Sequence, residues 1–477
     1  VTDRPRSPYR STRRVRGGPA PQPRRPRDPA RRAAYDVLNA VQSRDAYANL
    51  LLPVTLRERD ITGRDASLAT ELTYGTLRHQ GSYDAILDAC VDRSLRSVDA
   101  EVLPLLRMGA HQLLSMDVPR HAAVDSSVEL ARRVVGHHRS RFVNAVLRKV
   151  SARTLDEWLS VVAPDRAADP VGHLAVARSH PRWVVQALAD ALGEDPADGL
   201  AETERLLAAH NERPRVTLLA KPGRATVADL VAEGAVAARY SPCAAVLPEG
   251  DPGALHAVRQ GRAAVQDEAS QLVALALSRV PVDGADRLWL DMCAGPGGKA
   301  ALLSGLVGQR GGRLLAAEVQ PARAGLVARA VDRSVGDSAR VVVADSTRPP
   351  WRDGRFDRVL VDAPCTGLGA LRRRPEARWR RTPDSLAELV PLQRALLERA
   401  LDAARPGGVV GYVTCSPHLE ETRGVVGGVL AARGDAELLD AAPHLPEVPD
   451  AAADRFVQFW PHRHGTDAMF LALVRKR

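Results

Sequence analysis

Cysteine, lysine and long apolar runs are all scarce in this chain. Five cysteines occur in 477 residues, at 90, 243, 293, 365 and 415. Their number is odd, no two are neighbours and none forms a CxxC pair. That argues against a disulfide framework or a zinc site. A reducing cytosol is expected, with no metal. Lysine stands only at 149, 221, 299 and 476, while arginine is abundant. This is the composition bias of a GC-rich genome, so arginine clusters carry less meaning here than usual. No apolar run approaches the ~20 residues of a membrane span. The first residues lack the apolar core of a signal peptide. A cytoplasmic location without membrane contact is expected.

What is present suggests two or three domains, because the chain is too long for one ordinary core. The hydrophobic fraction of 45% is that of a globular protein. The net charge of +10 is uneven: residues 1–32 carry eleven Arg against Asp3 and Asp28. This proline-rich stretch has almost no apolar residues and is expected to be a disordered basic tail. It suits loose attraction to a polyanion such as RNA, or solubility alone.

From 33 to 155 the apolar residues recur at helical spacing. RFVNAVLRKV places Phe142, Val143, Val146, Leu147 and Val150 on one face. An all-α bundle is expected. From 156 to 260 the signal is mixed, with a helix at WVVQALADAL and short strands at PRVTLLA and AAVLPEG. A small α/β connecting module fits. From 261 to 477, strand candidates RLWL, GRLLAA, RVVVA, DRVLV and GVVGYV alternate with helices. That pattern implies a Rossmann-like, mainly parallel, doubly wound sheet.

In such a sheet ligands bind beyond the carboxyl ends of the strands. The five strand ends lead here into Asp291 with MCAGPGGK, Glu318, Asp345, Asp362 with APC, and Thr414 with Cys415. GPGGKA formally satisfies GxGxxG/A, with Glu318 placed to hold a ribose, so a nicotinamide dinucleotide is a competitor. Pro296, however, removes an N–H that a pyrophosphate would need. A phosphate-binding P-loop fails, because Cys293 and Ala300 stand where Gly and Ser/Thr are required. S-adenosyl-L-methionine fits better. Glu318 suits its ribose, Asp345 its adenine, and the loop amides near Gly295–Gly298 with Lys299 its methionine end.

Two cysteines at matching strand ends, 50 residues apart, then acquire a use. Carbon 5 of a pyrimidine is a poor nucleophile. A thiolate adding to carbon 6 makes carbon 5 enamine-like and able to take a methyl group. The proton on carbon 5 must then leave and the thiolate be expelled. Asp362 is placed to stabilise the ring at nitrogen 3.

DMCAGPGGK, DAPCTGLG and VTCSPHLEE resemble the cofactor loop and the two cysteine motifs of the bacterial RsmB (Sun/Fmu) 16S ribosomal RNA cytosine-C5 methyltransferases. RDASLATELTYGTLRHQGSYD, LRMGAHQLLSMDVPRHAAVDSSVELA and RFVNAVLRKV resemble that family's NusB-like RNA-binding domain. The resemblance covers roughly residues 33–475. It implies Cys415 as nucleophile, Cys365 as the group that aids release, and 16S ribosomal RNA or the assembling small subunit as partner. It implies cofactor contacts at Cys293, Ala294, Gly295, Pro296, Gly297, Gly298, Lys299, Glu318, Asp345 and Asp362, with Arg323 as a further candidate. Ala300 and Thr422 depart from the pattern, which has Thr and often Asn there; the second could alter how the Cys415 loop is held. A monomer is expected.

RRRPEARWRR, with six Arg around Trp379, could grip phosphates and stack on a base, or be a solvated face. His418 could polarise Cys415 or be an ordinary loop histidine. Cys293 is read as packing beneath the cofactor loop, and Cys90 and Cys243 as buried fillers. An RNA-binding protein carrying a degenerate enzyme fold is the other class; loss of either cysteine motif would favour it, and both are intact.

Overall fold

The computed structural model describes residues 28–331 and 338–477. The expected basic tail lies outside the described residues as far as 27. Its last residues differ from expectation, because a helix begins at Pro29, inside the span assigned to the tail. Asp28 accepts from Arg31 N, proline takes the first turn, and Ala30, Ala33, Ala34, Val37 and Leu38 are buried. Of the arginines that hid this start, Arg32 pairs with Asp36 at the surface, while Arg31 pairs with Asp28 and also donates to buried Gln112 at 2.7 Å.

A helical bundle runs from Pro29 to Val162 around Leu72, Tyr83, Ile86, Leu105, Leu106 and Leu147. In its helix Gly136–Val150, Val143, Val146, Leu147 and Val150 are buried as the spacing predicts. Phe142 departs from that face and is 40% exposed. Trp158 packs into the same core and donates to Val150 O, so the bundle extends past 155.

Three helices, Pro170–Ala177, Arg182–Leu192 and Ala201–Asn211, lead to a small antiparallel sheet. Its strands are β1 (Val216–Ala220), β2 (Val236–Ala237), β3 (Ala244–Leu247) and β4 (Ala263–Val265), in the order β2-β3-β1-β4. The fourth strand lies beyond the expected boundary at 260.

The large sheet contains β5 (Leu288–Asp291), β6 (Arg313–Glu318), β7 (Ala339–Val343), β8 (Phe356–Asp362), β9 (Ala404–Thr414), β10 (Ala436–Leu439), β11 (Ala452–Ala453), β12 (Phe456–Gln458) and β13 (Phe470–Lys476). Its order is β11-β12-β13-β9-β8-β5-β6-β7, with β10 also paired to β13. β7, β6, β5, β8 and β9 are parallel and match the five expected strands. Strands β10 to β13 are antiparallel additions that the sequence did not announce. FLALVRK, for example, is a continuous apolar run, which periodicity cannot tell from a buried helical piece. Helices cover both faces. Leu272, Leu302 and Leu303 pack on one with Trp289 and Leu360; Leu396, Leu397 and Val425 pack on the other with Leu290, Val359 and Val361.

RRRPEARWRR joins these parts instead of forming a free basic patch. Arg372 and Arg373 both bridge Asp267 and Asp467 at 2.6–3.1 Å. Arg380 donates to Val41 O and Ala46 O of the bundle. Arg378 is fully buried and donates to Arg78 O (2.8 Å), Ser179 O (3.0 Å), Asn211 Oδ1 (2.7 Å) and His210 O (2.9 Å). Burial pushes its pKa down to about 9, while four oxygen acceptors hold the guanidinium charged at neutral pH. Trp379 lies over Gly81, where a Cβ would meet the indole at 2.5 Å.

One guanidinium thus ties the bundle and the connecting helices to the segment that follows β8 of the large sheet. Arg378→Met should leave several buried acceptors unpaired and lower the unfolding free energy by about 3 kcal/mol. Chemical denaturation measures this. An unchanged midpoint would show that the junction does not depend on Arg378.

Candidate active site

The carboxyl ends of β5, β6, β8 and β9 converge on one site. After β5 the chain turns through Cys293–Gly297 into helix Gly298–Gln309. Gly297 has φ +113°, and a Cβ there would strike Ala330 Cβ at 2.5 Å. A Cβ on Gly295 would lie 2.1 Å from Glu318 Oε2. The bare backbone at 295 therefore leaves a cradle facing Glu318, which is 4% exposed. Arg323 closes it, donating to Gly295 O at 2.8 Å and lying 3.7 Å from Glu318 Oε2. Ala294 N donates to Ala317 O, fixing the loop to β6.

Asp345 behaves differently from expectation. It is exposed, and its Oδ1 accepts from Thr347 N (2.9 Å) and Thr347 Oγ1 (2.7 Å), which hold its carboxyl below the usual carboxylate range. Only Oδ2 is left to face a ligand. Asp291, which sequence reasoning noted as a strand end but did not assign, is wholly buried, and its Oδ2 has no hydrogen-bond partner. Burial first, and then the charge of Asp362, push its pKa up to about 7.

Lys299 Nζ donates to Asp362 Oδ2 at 2.8 Å. Burial works against this ammonium, but Asp362, Cys415 and Asp291 outweigh it and raise its pKa. The two thiols meet, with Cys365 Sγ 3.4 Å from Cys415 Sγ. They diverge electrostatically. The Cys365 hydrogen bond lowers the Cys415 pKa against burial and Asp362, helped by Lys299 and Arg374. The same contact, then burial, raises Cys365 well above an ordinary thiol. Cys293 is also raised, by burial and then Asp291. It packs against the core beside Met292, as a structural residue would. Cys90 is a buried filler as expected, whereas Cys243 is only partly buried.

Sequence reasoning missed the clamp that sets the thiol spacing. Glu421 is fully buried. Its carboxylate accepts from Thr366 N (2.7 Å), Gln393 Nε2 (3.0 Å) and Thr366 Oγ1, and Thr366 Oγ1 lies 3.0 Å from Ser416 Oγ. Each cysteine's following residue is thereby linked. Gly369 N donates to Cys415 O at 2.8 Å, and a Cβ at 369 would overlap Ala468 O at 2.0 Å. The only sequence signal for Glu421 was its place in VTCSPHLEE. His418 accepts from Glu420 N as a cap and is bonded to neither thiol. Thr422 Oγ1 donates to His418 O at 2.9 Å and holds the loop itself.

Residues 28–152 match the NusB family, and residues 279–475 match the family described as 16S rRNA methyltransferase RsmB/F. A Pseudomonas putida ribosomal RNA small subunit methyltransferase B is 33% identical over 86% of this chain and 91% of its own length. The chain belongs to the RsmB family. A Mycobacterium tuberculosis methyltransferase, Rv1407, is 52% identical over 95% of this chain and 98% of its own length. The crystal structure of PH0851 shares the fold, with TM-score 0.76 at 22% identity over 94% of this chain and 99% of that one.

S-adenosylmethionine is the cofactor of this family, and the donor set fits it. Buried Asp291 and Glu318 and half-buried Asp362 surround the loop, and Lys299 is already committed to Asp362. Such a site repels a pyrophosphate but suits ribose hydroxyls and a sulfonium cation. Among the described residues no His/Cys/Asp/Glu group could hold a metal.

The thiol asymmetry predicts reactivity. At pH 7.5 iodoacetamide should label Cys415 several-fold faster than Cys365, since the thiolate is the reactive form. Cys365→Ala removes the hydrogen-bond donor and should slow labelling of Cys415. Peptide mapping by mass spectrometry reads both rates. Equal rates, or faster labelling of Cys365, would contradict the assignment.

Proposed function

We propose that this chain methylates carbon 5 of a cytosine in 16S ribosomal RNA through a covalent bond between Cys415 Sγ and carbon 6 of the base. The observation that carries the reading is the 3.4 Å contact between two thiols carried by neighbouring parallel strand ends, beside the Lys299–Asp362 pair. Dehydrogenase chemistry has no use for such a pair.

The Cys415 thiolate attacks carbon 6, and the carbon 5–carbon 6 π electrons move into the ring toward nitrogen 3. Nitrogen 3 takes up a proton as that charge develops, relayed by the Asp362 carboxyl group that Lys299 orients through the 2.8 Å bond, and gives it back when carbon 5 takes the methyl group. S-adenosylmethionine supplies an electrophilic methyl group when bound. Glu318 would hold its ribose, Asp345 Oδ2 its adenine edge, and the backbone of Cys293–Gly298 with Arg323 its remaining polar groups. Lys299, paired with Asp362, contributes charge balance more than a direct grip. Once its own thiol proton has passed to solvent, Cys365 removes the proton from carbon 5; the carbon–hydrogen electrons re-form the carbon 5–carbon 6 double bond and expel Cys415 as thiolate. The high pKa of Cys365 makes it a strong base once it has lost its proton. In this reading the helical bundle binds RNA and the sheet performs the chemistry.

Cys415→Ala should abolish both methyl transfer and adduct. Cys365→Ala should complete methyl transfer but stall at release. A protein–RNA complex surviving a denaturing gel should then build up with S-adenosylmethionine present, and be absent from the Cys365→Ala/Cys415→Ala chain. Accumulation in the Cys415 variant instead would exchange the two roles. Full activity in both single variants would remove the covalent route.

A further inference from the structure

The amino ends of the parallel strands, on the edge opposite the thiols, carry a feature that the chemistry does not use. A cavity of ≈ 450 Å³ there is lined by Arg313, Arg340, Arg352 and Arg355 around Trp351, with no carboxylate among the described residues of its wall. The side chains of Arg313, Arg352 and Arg355 make no ion pair with any described residue. All four arginines are exposed, whereas the apolar residues of the wall are buried or half-buried beneath them. Trp351 Nε1 is a buried donor without an acceptor, its ring held edge-on to Phe356 with centroids 6.2 Å apart.

The arrangement is a row. Arg355 precedes β8, Arg313 opens β6 and Arg340 lies at the start of β7. In the order β8-β5-β6-β7 they span three strand spacings, about 14 Å. A single phosphate needs a compact nest; guanidiniums spread over this length match a run of backbone phosphates. Four guanidiniums around the rim favour a polyanion over an uncharged protein surface.

We propose that this arginine row is a second contact for the phosphate backbone of the RNA substrate. The inference rests on the proposed function. β8 separates the two edges by seven residues, about 23 Å at strand rise. An RNA engaging both must wrap the domain, so the preferred substrate is a large folded RNA and not a short single strand.

The test compares the full chain with Arg313→Ala/Arg352→Ala/Arg355→Ala, binding a 16S ribosomal RNA transcript across a series of KCl concentrations. Each lost phosphate contact lowers the log–log slope by roughly 0.7 for single-stranded RNA, so the triple variant should lose about 2 from the slope. Affinity near 0.15 M salt should fall roughly tenfold, with S-adenosylmethionine binding by calorimetry unchanged. Arg352→Glu alone, at an exposed position, should also reduce the slope and serves if the triple variant does not fold. An unaltered slope with cofactor binding intact overturns the proposal. So does a variant that loses affinity for polyglutamate but not for RNA, which would assign the row to an acidic protein. Methyl transfer to the same transcript is measured in parallel: its absence in the unmodified chain defeats the proposed function while leaving the slope comparison valid.

Discussion

The site depends on the register of two parallel strands. Asp362, the last residue of β8, pairs with Val413 of β9. Cys365 follows the first by three residues and Cys415 follows the second by two. Strands about 4.8 Å apart then deliver two loops whose thiols meet at 3.4 Å. A one-residue slip would turn the alternating core residues of β8 to the wrong faces. Val359 and Val361 pack on one side and Leu360 on the other, so hydrophobic packing fixes the register that the chemistry needs.

Charge explains why the site can hold a thiolate beside carboxylates. Asp291, Glu318 and Asp362 crowd the carboxyl ends of the strands, and by itself Asp362 would raise the Cys415 pKa. Lys299 offsets it by neutralising Asp362, and the Cys365 hydrogen bond moves the balance toward the thiolate. Glu421 acts on geometry: it fastens Thr366 beside Ser416, so neither loop can drift without breaking buried hydrogen bonds.

Much of this was legible in the sequence, because it is local. Strand ends followed by acids or cysteines, and the glycine loop after β5, require only short-range pattern. The parts that escaped are set by tertiary packing. RRRPEARWRR reads as an RNA grip, yet Arg372, Arg373, Arg378 and Arg380 are spent on contacts from residues 41 to 467, which no local pattern encodes. Asp345 sits at its expected strand end, but its carboxylate turns back onto Thr347. Glu421 stands beside Glu420 in the sequence, and only burial distinguishes it from that exposed neighbour.

The central claim is that these residues place a methyl group on carbon 5 of a cytosine in small-subunit ribosomal RNA. Bisulfite sequencing of that RNA, from cells with and without the chain, tests it most directly. One cytosine should be protected from deamination only when the chain is present, and Cys415→Ala should fail to restore protection. An identical protection pattern in both cells would contradict the account.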